Sequence, residues 1–159
     1  MNLYLIRHSI AEKPSPAKSD SNRELTPEGI NLIMKGSKFL KTIAPELELI
    51  LSSPYNRAFQ TAEIIANSFD NKIRLIKENN LAAGCSTSTL IEVVSYYEEQ
   101  NIAVIGHQPD ISNHISNLTS NGNINLIYSP ATISKIKFES RIGFNKGLLE
   151  ILIPSEVFY

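Results

Sequence analysis

The chain has 159 residues, 42% of them hydrophobic and 19% charged, a balance that suits one folded domain with a substantial core and excludes a disordered or membrane-embedded chain. A net charge of -1 gives no general attraction to nucleic acid or anionic lipid, so anion recognition has to come from a local basic cluster. Cys85 is the single cysteine, which excludes an intrachain disulfide. The first residues run straight into an apolar segment with no basic region of a secretion signal, and no apolar run approaches the roughly 20 residues of a membrane span, so the cytoplasm is the expected location.

Leu3-Tyr4-Leu5-Ile6 is short, continuous and rich in β-formers, and it reads as a buried central strand. It stops at Arg7-His8-Ser9. A cation and an imidazole there stand where α/β sheets place ligands, beyond the carboxyl ends of the strands. Ile10 to Glu24 contains Pro14, Pro16 and several Ser and Lys residues and is a predicted loop. Its one arginine, Arg23, is either a solvated cation or a group reaching back over the strand end.

Thr26-Pro27-Glu28-Gly29 marks a helix start, with Thr26 as N-cap and Pro27 at the first helical position, where a missing N–H costs nothing. Leu32, Gly36, Phe39, Leu40 and Ile43 recur at helical spacing, and Pro45 ends the helix. Leu47 to Leu51 is a second strand, followed by Ser52-Ser53-Pro54-Tyr55-Asn56-Arg57. Ser53 is the predicted cap, and Pro54 the predicted opening, of a helix that runs to about Phe69. Arg57 then sits in a first helical turn, against the dipole, where free amides and a guanidinium together suit a bound anion.

Ile73 to Ile76 is a weaker third strand, Lys77 to Ser88 a loop, and Thr89 to Glu99 a helix. Ile102 to Ile105 is a fourth strand ending in Gly106-His107-Gln108-Pro109-Asp110, with a helix from about Pro109 to Leu118, so that His107 stands just ahead of it. A Gly- and Asn-rich turn follows at Asn121 to Asn125, and Thr132 to Phe138 and Gly147 to Ile153 are closing strands. Strands alternating with helices predict a three-layer α/β/α sandwich around a mainly parallel central sheet.

Arg7, His8, Arg57 and His107 all fall at strand ends or helix starts, which this architecture brings to one edge of the sheet. Two imidazoles with two guanidiniums suit in-line phosphoryl transfer. One neutral imidazole attacks phosphorus while the other three groups hold the equatorial oxygens, and no metal or cofactor is needed. A metal site at His107, Asp110 and His114 is rejected because Pro109 puts His107 outside the helix that carries the other two. Cys85 lacks the Cys-x5-Arg loop of thiol phosphatases, there is no glycine-rich nucleotide loop, and His114 is expected on the helix surface or at the edge of the core.

Four segments carry a wider resemblance: Leu5-Ile6-Arg7-His8-Ser9-Ile10-Ala11-Glu12, Arg23-Glu24-Leu25-Thr26-Pro27-Glu28-Gly29, Ser52-Ser53-Pro54-Tyr55-Asn56-Arg57-Ala58-Phe59-Gln60-Thr61-Ala62 and Gly106-His107-Gln108-Pro109-Asp110. With these in order, the chain resembles the histidine phosphatase superfamily, of phosphoglycerate mutase-like fold, and within it the short SixA-type protein phosphohistidine phosphatases. The resemblance implies a single histidine phosphatase domain over residues 1–159, with His8 as the phosphorylated nucleophile, Arg7 and Arg57 binding phosphate, and His107 completing the pocket. Ser9, where the family more commonly has Gly, and Arg23 are the further expected substrate contacts. Glu78 is the nearest candidate for the general acid of the mutase branch, its alternative being a solvated loop residue.

The leaving group decides how much that acid matters. Alkoxides are about as basic as hydroxide, whose conjugate acid has a pKa of about 15.7, whereas imidazolium has a pKa of about 6.5, so phosphohistidine is cleaved with little acid assistance. The expected activity is a metal-independent phosphatase acting on a phosphohistidine-bearing signalling or phosphotransfer domain, as a monomer with no nucleic-acid or membrane partner. The alternatives are a small-molecule phosphomonoesterase of the same superfamily, with Glu78 or Asp110 as a working acid, and a phosphoprotein-binding module without turnover.

Overall fold

Strands and helices alternate along the chain in the computed structural model, which describes residues 1–70 and 73–158. The strands are β1 (Asn2–Arg7), β2 (Leu49–Ser52), β3 (Arg74–Lys77), β4 (Asn101–Gly106), β5 (Ile133–Lys137) and β6 (Leu148–Ile153). The α-helices between them are α1 (Pro27–Ile43), α2 (Asn56–Ser68), α3 (Thr87–Ser95) and α4 (Asp110–Thr119). One sheet holds the strands in the order β3-β2-β4-β1-β5-β6, with β5 alone running against its neighbours. The expected three-layer, mainly parallel α/β/α arrangement is therefore the observed one.

Alternation along each strand builds two cores. Tyr4, Ile6, Ile50, Ala103 and Ile105 pack with Leu32, Ile33 and Leu40 of α1 and with Ala58, Ala62 and Ile65 of α2. Leu3, Leu5, Leu49, Leu51, Ile102 and Val104 pack on the other face with Leu90 and Val94 of α3 and with Ile111, Ile115 and Leu118 of α4. Both faces are covered, which is why the central strands read as unbroken apolar runs rather than as alternating ones. No helix among the described residues is long and apolar enough to cross a membrane.

Helix boundaries differ from expectation where side chains have other uses. Thr26 caps α1 as predicted, accepting from the Gly29 amide at 3.1 Å. Helix α3 starts earlier than predicted because Ser86 caps it, accepting from the Thr89 amide at 3.1 Å. It also ends sooner, at Ser95, and the Glu48 carboxylate accepts from the Gln100 and Asn101 amides as the chain enters β4. Helix α2 begins at Asn56 with Tyr55 in the N-cap position, and Ser53 does not cap it because its hydroxyl is turned to His107. His114 is buried rather than superficial, since α4 packs on α3 and places the imidazole Nδ1 3.0 Å from Thr87 Oγ1.

Register brings three strand ends together. Arg7 of β1 pairs with Gly106 of β4, and Ile105 pairs with Ser52 of β2, so His8, Ser53 and His107 are the next residues out from three adjacent parallel strands. Backbone bonds carry the ladder past the strand ends: the His8 amide donates to Gly106 O and the Ser53 amide to Ile105 O, both at 3.0 Å.

The chain leaving β1 crosses the first turn of α1, where Ile10 O accepts from the Thr26 amide at 3.0 Å. A Cβ on Gly29 would collide with that same carbonyl oxygen. Backbone cannot yield as a flexible side chain can, so Gly29→Ala is expected to cost about 1–3 kcal/mol of stability. Urea unfolding measures it, and an unchanged midpoint would show that this crossing is not tight.

Candidate active site

A cavity of about 450 Å³ opens over the three strand ends, and Arg7, His8, Arg23, Arg57 and His107 all line it. They reach it from four pieces of local structure. Arg7 ends β1 and His8 follows it, His107 follows β4, Arg57 occupies the first turn of α2, and Arg23 follows a short 3-10 turn at Asp20–Asn22.

His8 is 9% exposed, and its ring is held at both nitrogens. Nδ1 lies 2.8 Å from Ser9 O, and because a carbonyl can only accept, Nδ1 carries the hydrogen. The lone pair is then on Nε2, where it accepts from Arg57 Nε at 3.1 Å. Burial, with the nearby His107, Arg57 and Arg7 charges in support, pushes the His8 pKa down to about 3 against the opposing Ser9 bond. The result is a neutral imidazole whose lone pair faces a guanidinium.

His107 is set from the other side. Its Nε2 is 2.7 Å from Ser53 Oγ, and its ring stands 5.0 Å from Tyr55 and 5.2 Å from His8. Ser53 Oγ receives the Tyr55 amide at 3.3 Å, and the tautomer that gives the Ser53 proton an acceptor at Nε2 puts the ring hydrogen on Nδ1. Burial and the Arg57 charge bring the His107 pKa down to about 4. Among the described residues, buried side-chain polar atoms without a partner include Arg7 Nε and His107 Nδ1. An unpaired buried donor costs about 1–3 kcal/mol, and two in one cavity mark a place built for an acceptor.

Arg57 is 4% exposed, and Arg57 Cζ stands 5.0 Å over the Tyr55 ring. Its Nη1 donates to Asp20 O at 2.6 Å and its Nη2 to the Asp20 carboxylate at 3.0 Å. Arg7 is fixed by a 2.8 Å bond from Nη1 to Tyr128 O. Arg23 reaches over the cavity rather than into solvent, donating from Nε to Asp20 Oδ1 at 2.8 Å and from Nη1 to Glu12 O at 2.7 Å. Asp20 thus bridges two guanidiniums. Burial raises its pKa, but bonds and charges from Arg57 and Arg23 outweigh that and leave it lowered.

Three expected residues are engaged with the protein itself. Ser9 lines the cavity, but its hydroxyl donates to Gly29 O at 2.7 Å and its amide to Thr61 Oγ1. Glu78 does not line the cavity; it caps the 3-10 turn Asn79–Leu81, accepting from the Asn80 amide at 3.0 Å, and faces a separate hollow beside α3. Asp110 is likewise engaged, accepting from the Gly84 amide at 2.7 Å. The sequence reading missed Asp20, the role of Ser53, and the Tyr55 and Tyr128 supports. Of these only Asp20 left a trace, an acid three residues before Arg23.

The fold is that of a phosphoglycerate mutase-like α/β protein, with a cavity at its strand ends lined by three guanidiniums and two imidazoles. The pattern of the histidine phosphatase superfamily (branch 1) matches residues 3–82, and the chain belongs to that superfamily. An uncharacterized protein of Picosynechococcus sp. is 31% identical over 114 residues, which is 70% of this chain and 68% of the relative. The structure of the protein histidine phosphatase SixA complexed with tungstate superposes with a TM-score of 0.85 at 19% identity, covering 100% of both chains. SixA from Agrobacterium tumefaciens gives 0.79 at 18% identity, covering 96% of each.

Burial holds His8, His107 and His114 neutral, with pKa values of about 3, 4 and 4 against an ordinary 6.5. Between those values and 6.5 the unfolded chain binds protons that the folded chain does not, so stability is full above about pH 6.5 and falls as pH drops towards 4. Each histidine contributes a slope on the order of 1 kcal/mol per pH unit in that window. Urea unfolding at pH 7 and pH 5 should differ by about 4–6 kcal/mol, and equal stabilities would contradict the buried neutral rings.

Proposed function

We propose that this protein is a phosphatase that works through a phosphohistidine intermediate on His8, and that its substrate is phosphohistidine in a signalling or phosphotransfer domain. The observation that carries this reading is the neutral His8 ring, its Nδ1–H tied to Ser9 O and its Nε2 lone pair facing Arg57. Such a ring attacks phosphorus in line as Arg57 Nε moves its hydrogen bond from Nε2 to a phosphoryl oxygen. A bond forms from Nε2 to phosphorus as the bond from phosphorus to the substrate nitrogen breaks, and the departing ring, which carries a hydrogen on its other nitrogen, keeps that electron pair and leaves as neutral imidazole. Arg57, Arg7 Nε and the His107 Nδ1–H meet the equatorial oxygens, where they stabilise the charge of the transition state.

The second half of the cycle uses the same geometry. Water attacks phospho-His8, and because Nδ1 has kept its hydrogen, His8 departs as neutral imidazole with no proton to find. The water proton passes to solvent. Engagement of the candidate acids favours an imidazole over an alkoxide leaving group: Asp20 is ionised between two arginines, and Glu78 and Asp110, outside the cavity lining, accept from backbone amides. The guanidiniums supply the positive charge that a divalent ion would otherwise bring. The superfamily membership and the fold shared with SixA support the same conclusion.

Phosphate release from a phosphorylated histidine domain, with chelator present, should exceed release from alkyl phosphate esters by at least about 100-fold, the scale of one acid catalyst. His8→Ala should abolish it, and Arg57→Ala should lower kcat by about 10²–10³-fold. Wild type trapped in turnover should carry an acid-labile, base-stable phosphoryl group. Faster release from the esters would make the protein a phosphomonoesterase, and binding without release a phosphoprotein-binding module.

A further inference from the structure

We propose that the Asp20 carboxylate is a built-in competitor for the oxyanion site, which an incoming phosphoryl group must displace and which returns to help expel the phosphate product. This rests on reading the cavity as an oxyanion pocket. The carboxylate lies 3.0 Å from Arg57 Nη2 and 2.8 Å from Arg23 Nε and Nη2, so two of the guanidiniums lining the cavity are already satisfied by an anion from the chain itself. Its two oxygens are taken by Arg57 and Arg23, and Arg7 Nε and His107 Nδ1 have no partner. A tetrahedral oxyanion has further oxygens to offer them.

The carboxylate is free to leave because it does not hold its own turn in place. Docking of the Asp20–Asn22 turn on the start of α2 is carried by backbone acceptors: Arg57 Nη1 to Asp20 O at 2.6 Å, the Arg57 amide to Arg23 O at 3.1 Å, and Asn56 Nδ2 to Asn22 O at 3.3 Å. Arg57 therefore keeps one anchor on the turn when the side chain swings away. The Asp20 side chain is 55% exposed, which gives it solvent to swing into. The two half-exposed ion pairs that Asp20 makes with Arg57 and Arg23 are together worth about 0.7–1.4 kcal/mol, so they cost a ligand about threefold to tenfold in affinity. That is small enough for a phosphoryl group to overcome and large enough to empty the site of weakly held anions.

Tungstate and perrhenate test this directly, as tetrahedral oxyanions of the same shape carrying two charges and one. Calorimetric affinities for both are compared between wild type and Asp20→Asn, with Asp20→Ala as a second variant and thermal melts confirming that each is folded. Displacement predicts that both anions gain by the same factor, about threefold to tenfold, and that inhibition by product phosphate strengthens to match. A gain for tungstate that is roughly the square of the gain for perrhenate would mean that Asp20 stays in place and acts only through its field, and would overturn the proposal. Unchanged or weaker binding in the variants would also overturn it, making Asp20 a support for Arg57. Failure of wild type to bind tungstate at all would instead remove the oxyanion pocket itself.

Discussion

A buried imidazole held neutral between an acceptor and a donor is the arrangement on which the site depends. Ser9 O takes the Nδ1 hydrogen and Arg57 Nε meets the Nε2 lone pair, so tautomer, orientation and protonation state of His8 are settled by two bonds. Burial makes the state durable by pushing the pKa to about 3. His107 is held at one nitrogen only, where Ser53 takes the donor's part at Nε2, and its Nδ1 is left without a partner. The two rings stand 5.2 Å apart with opposite functions, one offering a lone pair and the other a hydrogen.

This pairing requires close register between strands far apart in sequence. β2, β4 and β1 are adjacent and parallel, and their last pairs bring residues 8, 53 and 107 to one edge. Apolar packing on both faces locks that register, because a one-residue slip in β1 would exchange Leu3 and Leu5 with Tyr4 and Ile6 between cores lined by different helices. Chemistry at the edge is thus stabilised by burial far from it. Tyr128 joins the two, accepting Arg7 on its carbonyl while its hydroxyl donates to Leu5 O at 2.6 Å.

The net charge of -1 conceals a strongly polarised region. Three guanidiniums line one cavity, and a single carboxylate lies between two of them. Such a cluster sets up a local positive field that does not depend on the net charge of the whole chain. Arg57, placed against the dipole of α2, is compensated in this structure by Asp20 and by the face of Tyr55.

The sequence by itself determined the strand-helix alternation, the capping of α1 by Thr26 and the convergence of Arg7, His8, Arg57 and His107, because apolar runs and Pro-led helix starts are local signals and parallel topology turns them into one edge. Closure of the sheet by a reversed β5 was visible only as two terminal strands. What only the tertiary structure decided concerns side chains with a choice of partners. Ser53 could cap a helix or bond His107, Ser9 could face the cavity or Gly29, Glu78 could face the site or its own turn, and Asp20 had no periodic position at all. His114 read as a group on the helix surface or at the edge of the core, and the packing of α3 against α4 decided for burial. A polar side chain bonds whatever the fold brings within about 3 Å, and that distance is set by long-range packing that no local spacing encodes.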